Sequence, residues 1–236
     1  MKSFIVGLLL CSSSLYAADY FPPQFTAEYK LYAEGWTVGK GTRTLTRLPD
    51  GKFKFETIAK STGFLSLFKK IRIEERSIFM RTKTGKIRPL EYSYRQTGSQ
   101  SRTNQVLFDW SKGIAKNTFK GKTKIIPLED GTFDRLLYQL VLMLDLNQGK
   151  RKIRYLVVDK GKIKVYTPRF IGKERIDTGI GELKTVKYVR ESSSNNKRRT
   201  TLWCARALHY LPVQVEHVEA DGDVFSMVLQ SVRKIQ

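Results

Sequence analysis

From Gln24 onward, apolar and polar residues alternate with a period of two, the mark of strands that bury one face. Phe25, Ala27, Tyr29, Leu31 and Ala33 share one side of the first run, and Thr26, Glu28, Lys30 and Tyr32 share the other. Gly35 interrupts the pattern, and residues 36–45 read as the return strand. Pro49-Asp50-Gly51 then supplies a turn, in which proline fixes φ and glycine takes the positive-φ position. Alternation resumes over 52–60, with Phe53 and Phe55 on one side. Further runs at 71–81, 87–96, 103–110, 122–126, 153–158, 162–167, 174–178, 182–190, 198–204, 213–218 and 224–232 read as strands. Thr84-Gly85, Asp130-Gly131, Lys160-Gly161, Gly179 to Gly181 and Asp221-Gly222 separate them, and the polar stretch 192–197 reads as an exposed loop.

Two segments depart from this rhythm. Over 132–145 the spacing is helical: Phe133, Leu136, Leu137, Leu140, Val141 and Leu144 fall on one stripe. Thr132 is placed to cap that helix, and Asp134 lies in its first turn, where a negative charge is favourable. Leu142 and Met143 widen the apolar face, so the helix is expected to be covered on more than one side. The second segment, 63–70, is short and apolar, with Phe64 and Phe68 one turn apart if helical and Lys69 and Lys70 following at once. Neither an internal repeat nor a Pro-rich linker divides the chain. The predicted fold is mainly β: one domain over 18–236, an antiparallel curved sheet forming a half-barrel or barrel. It has roughly ten or more strands and one apolar helix packed on the concave side.

The first residues change where such a domain would work. A short basic start with Lys2, an apolar run over 4–10 and small residues ending at Ala17-Ala18 form the three-part pattern of a secretory signal peptide. The run is too short for a membrane-spanning helix, which needs ~20 residues. Residues 1–17 are therefore expected to be removed and the mature chain to be exported to the periplasm, without integration into the membrane. Leu10 stands before Cys11 where lipid attachment would want a small residue. Loss of Cys11 with the leader leaves Cys204 as the sole cysteine, which rules out an intrachain disulfide and any multi-cysteine zinc site. Beside Trp203 on a strand, Cys204 is expected to be buried.

Charge comes next: 43 Lys and Arg against 22 Asp and Glu give a formal net charge of +21. A field of that strength attracts polyanions. In an exported protein the relevant ones are phospholipid headgroups, lipopolysaccharide and acidic cell-wall polymers, so an anionic membrane surface is an expected partner and nucleic acid is not. A basic bias shared by a whole proteome would give the same number.

Chemistry is sparse. His209 and His217 are the only histidines. No nucleophile elbow accompanies them, although a triad is assembled in space rather than in sequence. Gly39-Lys40-Gly41 lies within a strand pair and reads as a bulge or bend, not a phosphate cradle. No enzyme activity, metal or other cofactor is expected, and no protein partner is legible. What remains is the shape: a curved sheet has an apolar inside that can hold a lipophilic ligand. Phe64, Leu65, Leu67 and Phe68 with Lys69 and Lys70 would form an apolar lip with a basic rim, and Leu137, Leu140 and Leu144 would face the ligand from the helix. Equally, the Phe64–Phe68 segment could close the end of the core beside a solvated edge. The leading expectation is a carrier for a lipid or other amphiphile. A basic protein docking on anionic lipid or polymer is the alternative, and a hydrolase using a histidine is the third.

The order of these features resembles a family of exported Gram-negative proteins classed as a domain of unknown function. The resemblance rests on Phe25-Thr26-Ala27-Glu28-Tyr29-Lys30 with Gly39-Lys40-Gly41, on Asp134-Arg135-Leu136-Leu137-Tyr138-Gln139-Leu140, and on Trp203, Tyr210-Leu211-Pro212-Val213 and Asp221-Gly222. It implies no catalytic residues. Its fold is similar to that of the periplasmic lipoprotein-localisation factors, which by analogy of fold implies an apolar cavity for acyl chains.

Overall fold

The structure, a computed structural model, describes residues 21–63, 70–98, 100–191 and 198–234. The expected leader 1–17, the Phe64–Lys69 part of the apolar lip and the loop 192–197 lie outside the described residues. Thirteen strands form one antiparallel sheet. β1 (Phe25–Ala33), β2 (Trp36–Arg47), β3 (Phe53–Ser61), β4 (Arg72–Arg81), β5 (Ile87–Thr97), β6 (Arg102–Asp109), β7 (Ile114–Phe119) and β8 (Lys122–Pro127) run consecutively. On the other side of β1 stand β16 (Val224–Lys234), β15 (Leu211–Val218), β14 (Arg199–Ala205), β13 (Gly181–Glu191) and β12 (Arg169–Thr178). The first and last strands, β1 and β16, thus pair in the middle of the sheet, Phe25 opposite Lys234. The sheet is curved but not closed, with β8 and β12 as its edges.

Between β8 and β12 the chain crosses the concave side. It makes β9 (Thr132–Asp134), the helix α1 (Leu137–Asn147), β10 (Tyr155–Asp159) and β11 (Lys162–Tyr166), with β9, β10 and β11 in a second, three-stranded sheet. Every residue of β10 is buried, as a strand covered on both faces must be. Eight of the eleven residues of α1 are buried, which accounts for the wide apolar face of its sequence. Polar contacts pin the insert to the sheet behind it. Ser77 Oγ on β4 donates to Asp134 Oδ2 at 2.6 Å, and Asn117 Oδ1 on β7 accepts from the Gly161 backbone N–H at 2.5 Å.

The expected helix over 132–145 needs correction. Residues 132–134 are a strand parallel to β10, and the helix begins only at Leu137. Asp134, not Thr132, satisfies the first turn: its Oδ1 accepts from the backbone N–H groups of Leu136 and Leu137 at 2.9 and 2.8 Å. Two further differences are smaller. β7 was not foreseen, because its Ile114-Ala115-Lys116-Asn117 start carries little alternation. β12 starts at Arg169, five residues before the expected run at 174, with a bulge between Phe170 and Gly172. The Gly39-Lys40-Gly41 segment lies beside a bulge in the β1–β2 ladder, as expected.

Candidate functional site

In an antiparallel meander, alternate connections lie at the same end. The C-terminal ends of β1, β3, β5, β7, β13 and β15 therefore stand around one end of the concave side, the mouth, and the opposite end is the base. The inward face differs between the two halves. Toward the base, Leu45, Phe55, Phe79, Tyr92, Val106 and Ala115 are 0% exposed, packed beneath α1 and the small sheet. Toward the mouth, the inward row Val215, Met227, Leu31, Gly39 and Ser61 and the next row Tyr29, Gly41, Ala59 and Ile73 follow from strand register. There Leu31, Ala59, Ile73, Val215 and Met227 are only half-buried, and Phe225 is 45% exposed. The side chains are also smaller: Gly39, Gly41, Ala59 and Ser61 stand where the base has leucine and phenylalanine. The inward face is thus closely packed toward the base and lined toward the mouth by smaller, half-buried, largely apolar side chains, which form the floor of a shallow basin.

Gly39 has a second reason to be glycine. A Cβ there would lie 2.2 Å from the Lys60 carbonyl oxygen, so β2 and β3 approach too closely for any side chain.

Charged groups stand along the inner wall of the basin. Arg43 on β2 faces inward opposite Ala27 and Thr57 and is 3% exposed. Its guanidinium lies 5.9 Å from the Tyr29 ring centroid and 5.6 Å from that of Phe55, and its Nε donates to Thr57 Oγ1 at 3.2 Å. Its buried Nη1 has no hydrogen-bond partner. The positive charge is felt nearby. Burial pushes the Tyr29 hydroxyl and the Cys204 thiol each up to about 12, and Arg43 pulls against both shifts.

Arg135, between β9 and α1, lies 3.8 Å from Glu75 and 3.9 Å from Asp159 and stacks 5.5 Å over Tyr94. Lys164 Nζ donates to Asp159 Oδ2 at 2.5 Å. Arg190 on β13 lies 4.2 Å over the Tyr166 ring, and its Nη2 donates to Thr200 Oγ1 at 2.7 Å. Thr200 Oγ1 shares a 3.0 Å hydrogen bond with His217 Nδ1, and His217 Nε2 faces Glu219 at 3.3 Å. Burial pushes the His217 imidazole below its ordinary value; Glu219 opposes the shift, and Arg190 and Arg135 add to it.

The Thr200–His217–Glu219 chain has the connectivity of a nucleophile, base and orienting carboxylate. Its hydroxyl is buried and already accepts from Arg190, however, so the chain holds the Arg190 fork over Tyr166 rather than presenting an exposed nucleophile. Among the described residues, no group of three His, Cys, Asp or Glu side chains is placed to hold a metal ion, and no helix is long and apolar enough to cross a membrane. His209 ends the 3-10 turn Arg206–Leu208 at the base, far along the chain fold from the mouth, with φ 54°.

Of the residues expected to face a ligand, Phe64, Leu65, Leu67, Phe68 and Lys69 lie outside the described residues, and Lys70 is exposed just before β4. Leu137 and Leu140 are 0% exposed and belong to the packed core. Leu144 is nearly buried and borders a cleft of about 360 Å³ at the base, with Ile87, Phe133 and Val141. That cleft's charges are paired, Lys86 with Asp130 at 2.7 Å and Lys150 with Asp145 at 2.6 Å. Sequence reasoning missed Arg43, yet the signal was present: it is a charged residue set between Gly41 and Leu45 on the inward face of β2, whereas Arg47 on the same face is exposed at the strand end.

The architecture is thus an open, curved antiparallel sheet with half-buried apolar residues at its mouth and cations on its concave side. The model of the family described as "Protein of unknown function (DUF3108)" matches residues 24–230, and the chain belongs to that family. In fold it is similar to a β-barrel-like protein of the domain of unknown function DUF1849 from Brucella abortus. That likeness has a TM-score of 0.57 at 8% identity over 91% of this chain and 99% of the other. A protein described as exported, with a YmcC-like fold, from Bacteroides fragilis aligns over 91% of this chain and 99% of its own with a TM-score of 0.32 at 10% identity, too remote to argue from. No curated protein matches the chain in sequence.

Proposed function

We propose that the protein is an exported, non-enzymatic binding or carrier protein of the periplasm, and that the basin at the mouth holds a lipid or other amphiphile. The observation that carries this reading is the set of inward residues Leu31, Ala59, Ile73, Val215 and Met227, which stay half-buried on a face whose positions toward the base, such as Leu45, Phe55 and Phe79, are 0% exposed. Apolar surface of this kind in a concavity is what a ligand's hydrocarbon would cover. The signal-peptide pattern at the start of the chain supports the location.

Native mass spectrometry of the protein purified without detergent from the envelope fraction tests the proposal. A bound mass in the lipid range is expected, and it should be lost from an Ala59→Trp variant, whose indole would occupy the basin. A protein that stays empty after incubation with envelope lipids would overturn it. The second reading, docking on anionic surfaces, is favoured by the net charge of +21 and by Trp36, 79% exposed beside the mouth. It requires binding to anionic vesicles that weakens steeply with salt.

A further inference from the structure

Arg43 is hard to explain as a structural residue. Buried arginines are ordinarily paired, because an isolated charge loses its hydration without compensation. The interior carboxylates Glu75 and Asp159 are engaged by Arg135 and Lys164, and none of the described carboxylates pairs with Arg43. Its contacts are two aromatic faces and one threonine hydroxyl, and they leave Nη1 without an acceptor. Above Arg43 the inward positions of β2 are Gly41 and Gly39, so no side chain of its own strand stands over the guanidinium. The half-buried Leu31 side chain covers Gly41, its Cδ2 3.3 Å from where a Cβ would lie, and half-buried Ala59 stands opposite Gly41 on β3, so a ligand reaches Arg43 by displacing one flexible leucine.

We infer that the basin takes its ligand head first, with an anionic group, carboxylate or phosphate, seated on the Arg43 guanidinium and a single hydrocarbon chain running out past Gly41 toward Leu31, Met227 and Phe225. The inference rests on the amphiphile reading above and adds the charge and orientation of the ligand. An oxyanion would give Nη1 its missing acceptor in a charge-assisted hydrogen bond, the strongest kind available to a guanidinium. The Tyr29 hydroxyl donates to the Pro212 carbonyl at 2.9 Å, and neither it nor any other described group gives Nη1 an acceptor.

The test is calorimetric titration of delipidated protein with dodecanoate, dodecyl phosphate and the uncharged alcohol dodecanol. Wild type should bind both anions at least ~10-fold more tightly than the alcohol, the effect of one good charge-assisted contact. Arg43→Met should bring anion affinity down to that of the alcohol and leave alcohol binding unchanged, and Arg43→Lys should keep part of the preference. Urea midpoints of both variants establish that they are folded. If Arg43→Met keeps the full preference, or wild type shows none while still binding all three chains, the anchor is refuted and the carrier reading stands. Binding of none of them overturns both. If inorganic phosphate displaces dodecyl phosphate with an affinity equal to that of the amphiphile itself, the site serves a free anion and the head-first amphiphile is refuted.

Discussion

A residue kept for a ligand rather than for folding should be costly when the site is empty, and Arg43 allows that cost to be measured. Replacing it with methionine keeps a long, flexible side chain between Tyr29 and Phe55 while removing the charge. The change discards an N–H donor buried without a partner, worth about 1–3 kcal/mol. It also removes the several kcal/mol by which burial penalises an unpaired charge. Against this stand two cation–π contacts, about 0.5–2 kcal/mol each, and one hydrogen bond to Thr57. The balance favours the variant by about 1–3 kcal/mol. At roughly 2–4 °C per kcal/mol for a domain of this size, the melting temperature should rise by several degrees. Urea unfolding of delipidated protein followed by tryptophan fluorescence gives the difference directly. A loss of more than about 1 kcal/mol would mean that the charge is satisfied in the empty protein and that Arg43 is a structural residue.

Asp134 carries a pH dependence. Burial raises its carboxyl from 3.8 to about 7, against the pull of the hydrogen bonds from Ser77, Leu137 and Leu136. The folded state then holds a proton that the unfolded state releases, so this contribution is full at low pH and is lost as pH rises from roughly 4 to about 7. The stability of Asp134→Asn relative to wild type should therefore climb over that range, by up to about 4 kcal/mol; a relative stability that falls instead would show that the three donors hold Asp134 ionised. Gly39→Ala should cost about 1–3 kcal/mol in urea unfolding, because its Cβ would sit 2.2 Å from the Lys60 oxygen, and an unchanged midpoint would mean that β2 and β3 part without strain. Cys204, buried and with its thiol pushed up to about 12, should resist a thiol-reactive dye in the folded protein and label at once in denaturant. Fast labelling of native protein would contradict its burial.

Most of the strand framework was legible because period-two alternation records burial on one face, and in this meander nearly every strand buries one face. The same logic failed where burial is two-sided. Thr132-Phe133-Asp134 is buried on every side, so its apolar spacing merges with that of the helix behind it, and only the three hydrogen bonds to Asp134 separate strand from helix. The helix residues Leu137 and Leu140 were recognised as inward-facing, but spacing alone does not tell an inward residue that packs from one that lines a space. That distinction lies in residue size across neighbouring strands. Gly39, Gly41, Ala59 and Ser61 meet only through the β1–β2–β3 register, which no single run of sequence reveals.

The positive charge also separates into parts once the fold is known. Both sheet edges are open, and an open edge invites pairing with other chains unless it is made unattractive. Lys122 and Lys124 on β8, and Arg169, Lys173 and Arg175 beside the β12 bulge, supply that protection, so part of the excess charge needs no polyanion to explain it. A second part, Arg43, Arg135, Arg190 and Lys164, faces the concave side, where Arg135 and Lys164 pair with Glu75 and Asp159 among the described residues. The two parts respond differently to salt. Exposed charges are screened over about 8–10 Å at ordinary ionic strength, whereas a contact made at buried Arg43 is screened far less. Raising the salt should therefore strip the protein from anionic vesicles while leaving its preference for an acidic single-chain amphiphile largely intact. If both fall together, the anion is being read at the surface and not in the basin.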